Sequence, residues 1–179
     1  MDRREALKTT ARVLGGTIIG ADLFLAGCKP SEKKHDTITD ADVALLDDIG
    51  ETILPETSSS PGAKAANIGA FMRTMVHDCY HADEQKAFME GIQQLSKKDF
   101  QHLPAAEKQK LLIALDEEAK AYDKQSHPLP HYFTMMKQLT VLGYFTSEPG
   151  ATKALRYLPI PGRYDACIPY NEGERAWAT

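Results

Sequence analysis

Between Val43 and Leu142 the apolar residues recur every three or four positions, stretch after stretch, and sustain no strand-length alternation with polar ones. That spacing gathers them on one side of a helix of 3.6 residues per turn, whereas a half-buried strand needs a period of two. The pattern predicts helices that each bury one apolar face. Thr39 or Asp40 caps the first, with carboxylates at Asp40 and Asp42 favoured in its first turn by the helix dipole. Its stripe is Val43, Leu46, Ile49 and Ile53, broadened by Leu45, and Pro55 ends it. Residues 56–65, with three serines, Pro61 and Gly62, read as a loop.

A second stripe of Ile68, Phe71, Met72, Met75, Val76 and Cys79 ends near Tyr80 and His81, and places Cys79 in the core as a small hydrophobe. Phe88, Ile92 and Leu95 mark a third helix, beginning near Asp83 and closing at Lys97 and Lys98. In the fourth, Pro104 suits the first turn; Leu111, Leu112 and Leu115 make the buried face, and Glu117, Glu118 and Lys120 the wet end. Residues 127–146 are the most apolar stretch beyond the leader. There Leu129 and Pro130 open a helix carrying Phe133, Met136, Leu139 and Leu142, and Gly143 marks a close approach. Ser147, Glu148, Pro149 and Gly150 make a turn or a new helix start, and residues 151–157 a short last helix. Residues 158–179 hold three prolines, two glycines and three aromatics without a helical period, a composition that should lie against its own domain or a partner. The expectation is an all-α fold: one compact helical domain over residues 38–179, of about five to six helices, with an irregular C-terminal tail rich in proline and aromatics.

The first 27 residues are of another kind. Arg3 and Arg4 are followed by Leu7 and Lys8, then by a soft apolar run from Val13 with Gly15, Gly16, Gly20 and Asp22 in it, then by Leu25, Ala26, Gly27 and Cys28. Crossing a bilayer takes about 20 apolar residues, and this run is too short and too interrupted. Basic, apolar and small-residue segments in that order make a signal peptide over residues 1–27. The arginine pair resembles a twin-arginine export signal, with Asp2 where Ser or Thr is usual and Ala6 where Phe is usual, so the general secretory route stays open. Leu25 to Cys28 resemble a lipobox, in which the Cys28 thiol takes the lipid. Residues 28–37 then form a tether with almost nothing to offer a core.

Processing before Cys28 would remove Arg3, Arg4, Lys8 and Arg12 against Asp2, Glu5 and Asp22, taking the formal charge from −4 to −5. A mildly acidic domain carries no footprint for nucleic acid and no pull toward anionic lipid, so membrane contact would come from the lipid anchor. Two acyl chains or more are needed for stable anchoring. The location this implies is exported: periplasmic, or the outer face of the envelope, tethered to a membrane.

The sequence has no Cys-x-x-Cys-His for haem, no Gly-x-Gly-x-x-Gly for a dinucleotide and no cysteine cluster for iron and sulfur. His77 and His81 stand four apart on an expected helix, a spacing that can present two metal ligands, but at a helix end they read better as solvated. His127 and His131 share the spacing, and Pro128 and Pro130 interrupt the helix that would align them. Asp47, Asp48, Glu117 and Glu118 read as solvated or helix-end charge. No convergent acid and base can be named, so no catalytic residue and no metal site is assigned.

Three stretches carry a resemblance. Leu142, Gly143, Tyr144, Phe145, Thr146, Ser147, Glu148, Pro149 and Gly150 run together; Ile53, Leu54 and Pro55 are followed by Pro61, Gly62 and Ala63; and Pro161, Gly162, Arg163 and Tyr164 precede Cys167, Ile168, Pro169 and Tyr170. With these the chain resembles the gluconate 2-dehydrogenase subunit 3 family over nearly its whole mature length. The resemblance implies a small accessory subunit beside a large flavoprotein of the glucose-methanol-choline class, which oxidises a sugar, sugar acid or polyol outside the cytoplasm. FAD would belong to that large subunit and haem c to a multihaem cytochrome that often completes the complex. The small subunit would bring its folded partner through the twin-arginine export machinery. A lipobox departs from the many relatives tethered through the cytochrome.

Large aromatics dominate interface hot spots, so Tyr144, Phe145, Tyr164, Tyr170 and Trp177 are candidates for touching the partner, unless they fill this domain's own core. Gly143, Ser147, Pro149, Gly150, Pro161, Gly162 and Cys167 join them from the stretches that carry the resemblance. Cys167 has three fates open: a bridge to the partner, a free thiol, or a bridge to Cys79, which needs Cα atoms within about 7 Å. Two other functions stay open. One is a free-standing exported lipoprotein that binds another protein or a ligand; the other is a metal-dependent enzyme using His77 and His81.

Overall fold

In the computed structural model, which describes residues 37–122, 127–160, 162 and 167–178, Thr39 arrives extended and caps α1 (Asp40–Ile53). Its hydroxyl accepts from the Asp42 N–H at 3.3 Å while the Asp42 carboxylate accepts from the Thr39 N–H at 2.9 Å. This capping box satisfies two donors that a helix start leaves orphaned. Leu45, Leu46 and Ile49 are buried, and Leu54 leaves the helical region just before Pro55. The loop that follows folds around Glu51, whose carboxylate accepts from the N–H groups of Glu56 (2.9 Å) and Lys64 (2.8 Å). A 3₁₀ turn at Ala63–Ala66 and a left-handed Asn67 then turn the chain into α2 (Ile68–Cys79).

Helix α3 (Ala82–Lys97) follows α2 directly. A left-handed Asp99 and a 3₁₀ turn at Phe100–His102 lead to α4 (Ala105–Ala121), and α5 (Tyr132–Thr146) begins after His131. Helices α1 and α5 each pack against all of the other four. The inner face of α5 carries Phe133, Met135, Met136 and Leu139. With Leu46, Ile49, Ile68, Met72, Phe88, Ile92, Leu95 and Phe100 they form one apolar core, each side chain contributing about 1.5–3 kcal/mol by leaving water. Two close approaches tighten it. Gly91 leaves room for the ring of Tyr132 between α3 and α5, and Gly143 for the ring of Phe71 between α5 and α2.

The all-α expectation holds, with five α-helices among the described residues and the stretch from Thr37 forming one compact unit. No described helix is long and apolar enough to cross a membrane. Four local readings are corrected. Residues 151–157 are not a helix throughout: one wide π-helical turn spans Gly150–Ala154, after which Leu155 is extended. The chain then forms β1 (Arg156–Tyr157), which pairs in parallel with β2 (Trp177–Ala178) through N–H donation from Arg156 to the Ala176 carbonyl (2.8 Å) and from Leu158 to that of Ala178 (3.0 Å). Strands of two residues joined across some twenty positions leave no alternation to read. Part of the tail thus lies against its own chain.

Cys79 is exposed rather than buried. Its angular place on α2 matches the buried stripe, but it is the last residue of the helix, and Tyr80 takes the edge of the core beside it. His81 does not share a helix with His77, because α2 stops at Cys79 and His81 begins α3.

Asp47 and Asp48 are staples rather than solvated charges. The Asp47 carboxylate accepts from the Gly69 N–H at 2.8 Å, tying α1 to the start of α2. Asp48 pairs with Lys64 at 2.8 Å and Lys108 at 3.5 Å, joining α1 to the loop and to α4. Partial burial works to raise the Asp48 pKa, but the Lys64 hydrogen bond and the charges of Lys108 and Lys64 outweigh it and hold the carboxyl below its ordinary range. The folded state therefore binds this proton less tightly than the unfolded chain. The stabilisation is present above the ordinary carboxylate pKa of about 4 and is lost as pH falls through the lowered folded value. Asp48→Asn should cost about 1 kcal/mol or less near pH 7, and the melting-temperature gap to the parent should close on acidification. A gap that stays constant down to pH 3 would remove Asp48 from this role.

Candidate functional site

Two of the three stretches singled out by sequence, the one around Pro61 and the one around Tyr144, meet at one end of α5. The Tyr144 side chain is 3% exposed, and its hydroxyl donates to the Pro61 carbonyl, joining the loop after α1 to the last turn of α5. The Ala63 N–H donates to the Leu54 carbonyl at 2.9 Å, and Gly62 lies so close to the Glu51 carboxylate that a side chain there would displace it. The Ser147 hydroxyl donates to the Tyr144 carbonyl at 2.6 Å and accepts from the Gly150 N–H at 3.2 Å, while the Gly150 backbone lies against that same carbonyl. Gly143, Tyr144, Ser147 and Gly150 thus build this chain's own fold. Their burial and local bonding take them out of the surface a partner could touch.

The remaining candidates divide by exposure. Phe145 points outward from α5, and Pro149 is half-buried. Gly162, Cys167 and Tyr170 are exposed in the tail. Trp177 serves both readings: about half its surface is free, and its other face holds the Arg156 guanidinium 3.7 Å from the ring centre. Arg175 anchors the same segment by donating to the carbonyls of Lys153 (2.5 Å) and Thr152 (3.4 Å). Cys79 and Cys167 are both free thiols. Arg3, Arg4, Cys28, Pro161 and Tyr164 lie outside the described residues, as do the leader and residues 28–36 of the tether.

The histidines do not converge as ligands. His77 Nδ1 lies 2.6 Å from the Asp78 carboxylate at the surface. His131 is buried, and its Nδ1 accepts from the Phe133 N–H at 3.2 Å, capping α5. Tyr122 stacks on His127 with centroids 4.1 Å apart and meets His131 edge-on at 5.5 Å, so the second pair is gathered by an aromatic ring. Burial, reinforced by the charge of Glu118, pushes the Tyr132 phenol up and keeps it neutral. Among the described residues no three of His, Cys, Asp and Glu cluster closely enough to hold a metal ion.

The outside of α5 corrects a further reading: Leu142, expected in the stripe of Phe133, Met136 and Leu139, lies at the edge of that stripe near the end of the helix and is exposed. Val141 and Leu142 are exposed beside Phe145, and Ile113 is exposed on α4 across an open groove. The groove consists of two adjoining hollows of about 230 and 670 Å³, which share Asp116 and Lys137. Lys137 donates to Asp116 at 2.6 Å, and with Lys120 it holds that carboxyl below its ordinary range. The signal for this outer face was in the composition of the helix: Lys137 is its sole charge in 15 residues, in a chain of which 26% is charged.

These inward and outward faces belong to a chain with a recognisable relation to known proteins. The family model described as gluconate 2-dehydrogenase subunit 3 matches residues 40–162, which takes in all five helices, the π-helical turn and β1. No match is found among curated proteins or solved structures.

Proposed function

The chain belongs to the gluconate 2-dehydrogenase subunit 3 family and so to the subunits of dehydrogenase complexes; from that premise we propose that it is the non-catalytic small subunit of an extracytoplasmic flavin-dependent dehydrogenase. The family match over residues 40–162 carries this reading. The catalytic partner is a flavoprotein of the glucose-methanol-choline class acting on a sugar, sugar acid or polyol, and it holds the FAD. A multihaem cytochrome c can complete the electron path. This chain supplies three things: the twin-arginine signal at Arg3 and Arg4, a folded surface that binds and stabilises the flavoprotein, and a lipid on Cys28 that holds the complex at a membrane outside the cytoplasm.

The caps and the Asp47 and Asp48 contacts that join the described helices support the reading of a rigid binding surface. Residues 29–36 reach no further than about 3.5 Å each, so the domain stands some tens of ångströms at most from its anchor. Replacing Cys28 by alanine should therefore move the protein, and the flavoprotein with it, from the membrane fraction to the soluble extract. The melting temperature should not change, because the tether adds nothing to the core. A complex that still sediments with membranes would assign the anchor to another subunit.

The groove between α4 and α5 favours a second reading, a free-standing exported lipoprotein that takes a small ligand or another protein. An adjacent gene for a flavoprotein without a signal peptide separates the two: its presence supports the subunit, its absence the free-standing lipoprotein.

A further inference from the structure

Residues 167–177 are exposed throughout, and none of them joins the core. Among the described residues, the hydrogen bonds and charge contacts that hold this segment to the rest of the chain all fall on residues 174–178. Arg175 donates to the carbonyls of Thr152 (3.4 Å) and Lys153 (2.5 Å) where the π-helical turn closes. The N–H groups of Arg156 and Leu158 donate to Ala176 and Ala178 at 2.8 and 3.0 Å. The Arg156 guanidinium lies 3.7 Å from the centre of the Trp177 ring and 3.9 Å from the Glu174 carboxylate. We propose that residues 174–178 are a clasp that opens and shuts as one unit while the five helices stay folded.

The shut clasp is weak for a physical reason. A lone pair of strands is marginal in water, parallel pairing is slightly weaker per residue than antiparallel, and these strands have two residues each. Segments with exposed hydrogen bonds and few buried apolar contacts open far below the free energy of global unfolding. The contacts also interlock. Arg156 makes the first ladder bond with its N–H and holds Trp177 with its side chain, while Arg175 fixes the turn that leads into β1. Gly173 stands just ahead at φ 85°, and a Cβ there would meet nothing within 4 Å among the described residues, so it serves as the hinge. Opening frees both faces of Trp177 and the N–H groups of Arg156 and Leu158. Trp177 is therefore part of the fold in one state and available to a partner in the other, whether or not the subunit reading above holds.

Trp177 is the only tryptophan of the sequence, so its emission reports the clasp while far-ultraviolet circular dichroism reports the helices. In a denaturant titration of the purified protein the emission transition should come at lower concentration than the helical one, whereas a single two-state unit would make them coincide. Arg156→Ala should lower the emission midpoint further and leave the helical midpoint in place. Arg175→Ala should do the same, although the bonds of Arg175 go to the π-helical turn and not to the indole, because the clasp opens as a unit. Hydrogen exchange gives a second readout: the Leu158 N–H should exchange at least about a hundred-fold faster than that of Leu139 inside α5. Equal protection of these two amides overturns the proposal, and so do coincident midpoints in the parent. Variants that shift the helical midpoint as far as the emission midpoint also overturn it, since residues 174–178 would then belong to the cooperative unit of the helices.

Discussion

Replacing Arg3 and Arg4 together by lysine should strand both this protein and its flavoprotein partner in the cytoplasm, with near-complete loss of extracytoplasmic dehydrogenase activity. The general secretory route asks of its basic segment only positive charge, which lysine keeps. A signal read through two adjacent guanidinium groups does not accept the exchange, because an ammonium cannot reproduce the planar fork of donors. The double effect is the informative part. A flavoprotein without its own signal crosses only if it travels folded with the chain that carries one. Fractionation followed by activity staining measures both proteins at once, and a flavoprotein still exported in the double variant would separate its route from this chain.

Gly69→Ala should be among the most damaging single methyls in the helical domain. On helix propensity alone the change gains about 1 kcal/mol. Geometry reverses the sign: Gly69 opens α2 where it crosses α1, and a Cβ there would land on the carbonyl oxygen of Val43. Backbone cannot rotate aside as the end of a side chain can, so the two helices must separate. Separation also stretches the 2.8 Å bond from the Gly69 N–H to Asp47. Overpacking of this kind costs about 1–3 kcal/mol, and the lost staple puts Gly69→Ala at the upper end, a fall in melting temperature on the order of 10 °C. A variant as stable as the parent would mean that α1 and α2 are not in contact here.

The helices were legible because their stripes are local. Ile68, Met72 and Val76 announce α2 without reference to anything else, and Thr39 with Asp42 writes the capping box of α1 within one turn. What was not legible depends on partners distant along the chain. Asp48 looks like any surface acid until Lys64 and Lys108 arrive beside it, 16 and 60 residues on. The two-residue strands at Arg156 and Trp177 exist only as a pair. Cys79 shows a limit of periodicity itself, which gives the angle of a residue around a helix but not whether the neighbouring helices extend far enough to cover it.

The candidate interface divides on the same line. The stretch around Tyr144 stood out in sequence, yet Tyr144 turns inward to the Pro61 loop, Gly143 receives the Phe71 ring, and Ser147 and Gly150 close on the Tyr144 carbonyl. Phe145, one residue on, points out and aligns with Val141 and Leu142. Sequence shows an apolar helix; only the packed fold says which half of it remains uncovered.

The most direct measurement is the flavin content of the protein purified from the membrane of its own cells through a tag on this chain. A subunit of a flavin-dependent dehydrogenase brings its partner along, so the preparation should contain close to one flavin per small subunit and show sugar, sugar-acid or polyol oxidation. A pure, folded, membrane-derived protein without flavin and without a second polypeptide would contradict the account.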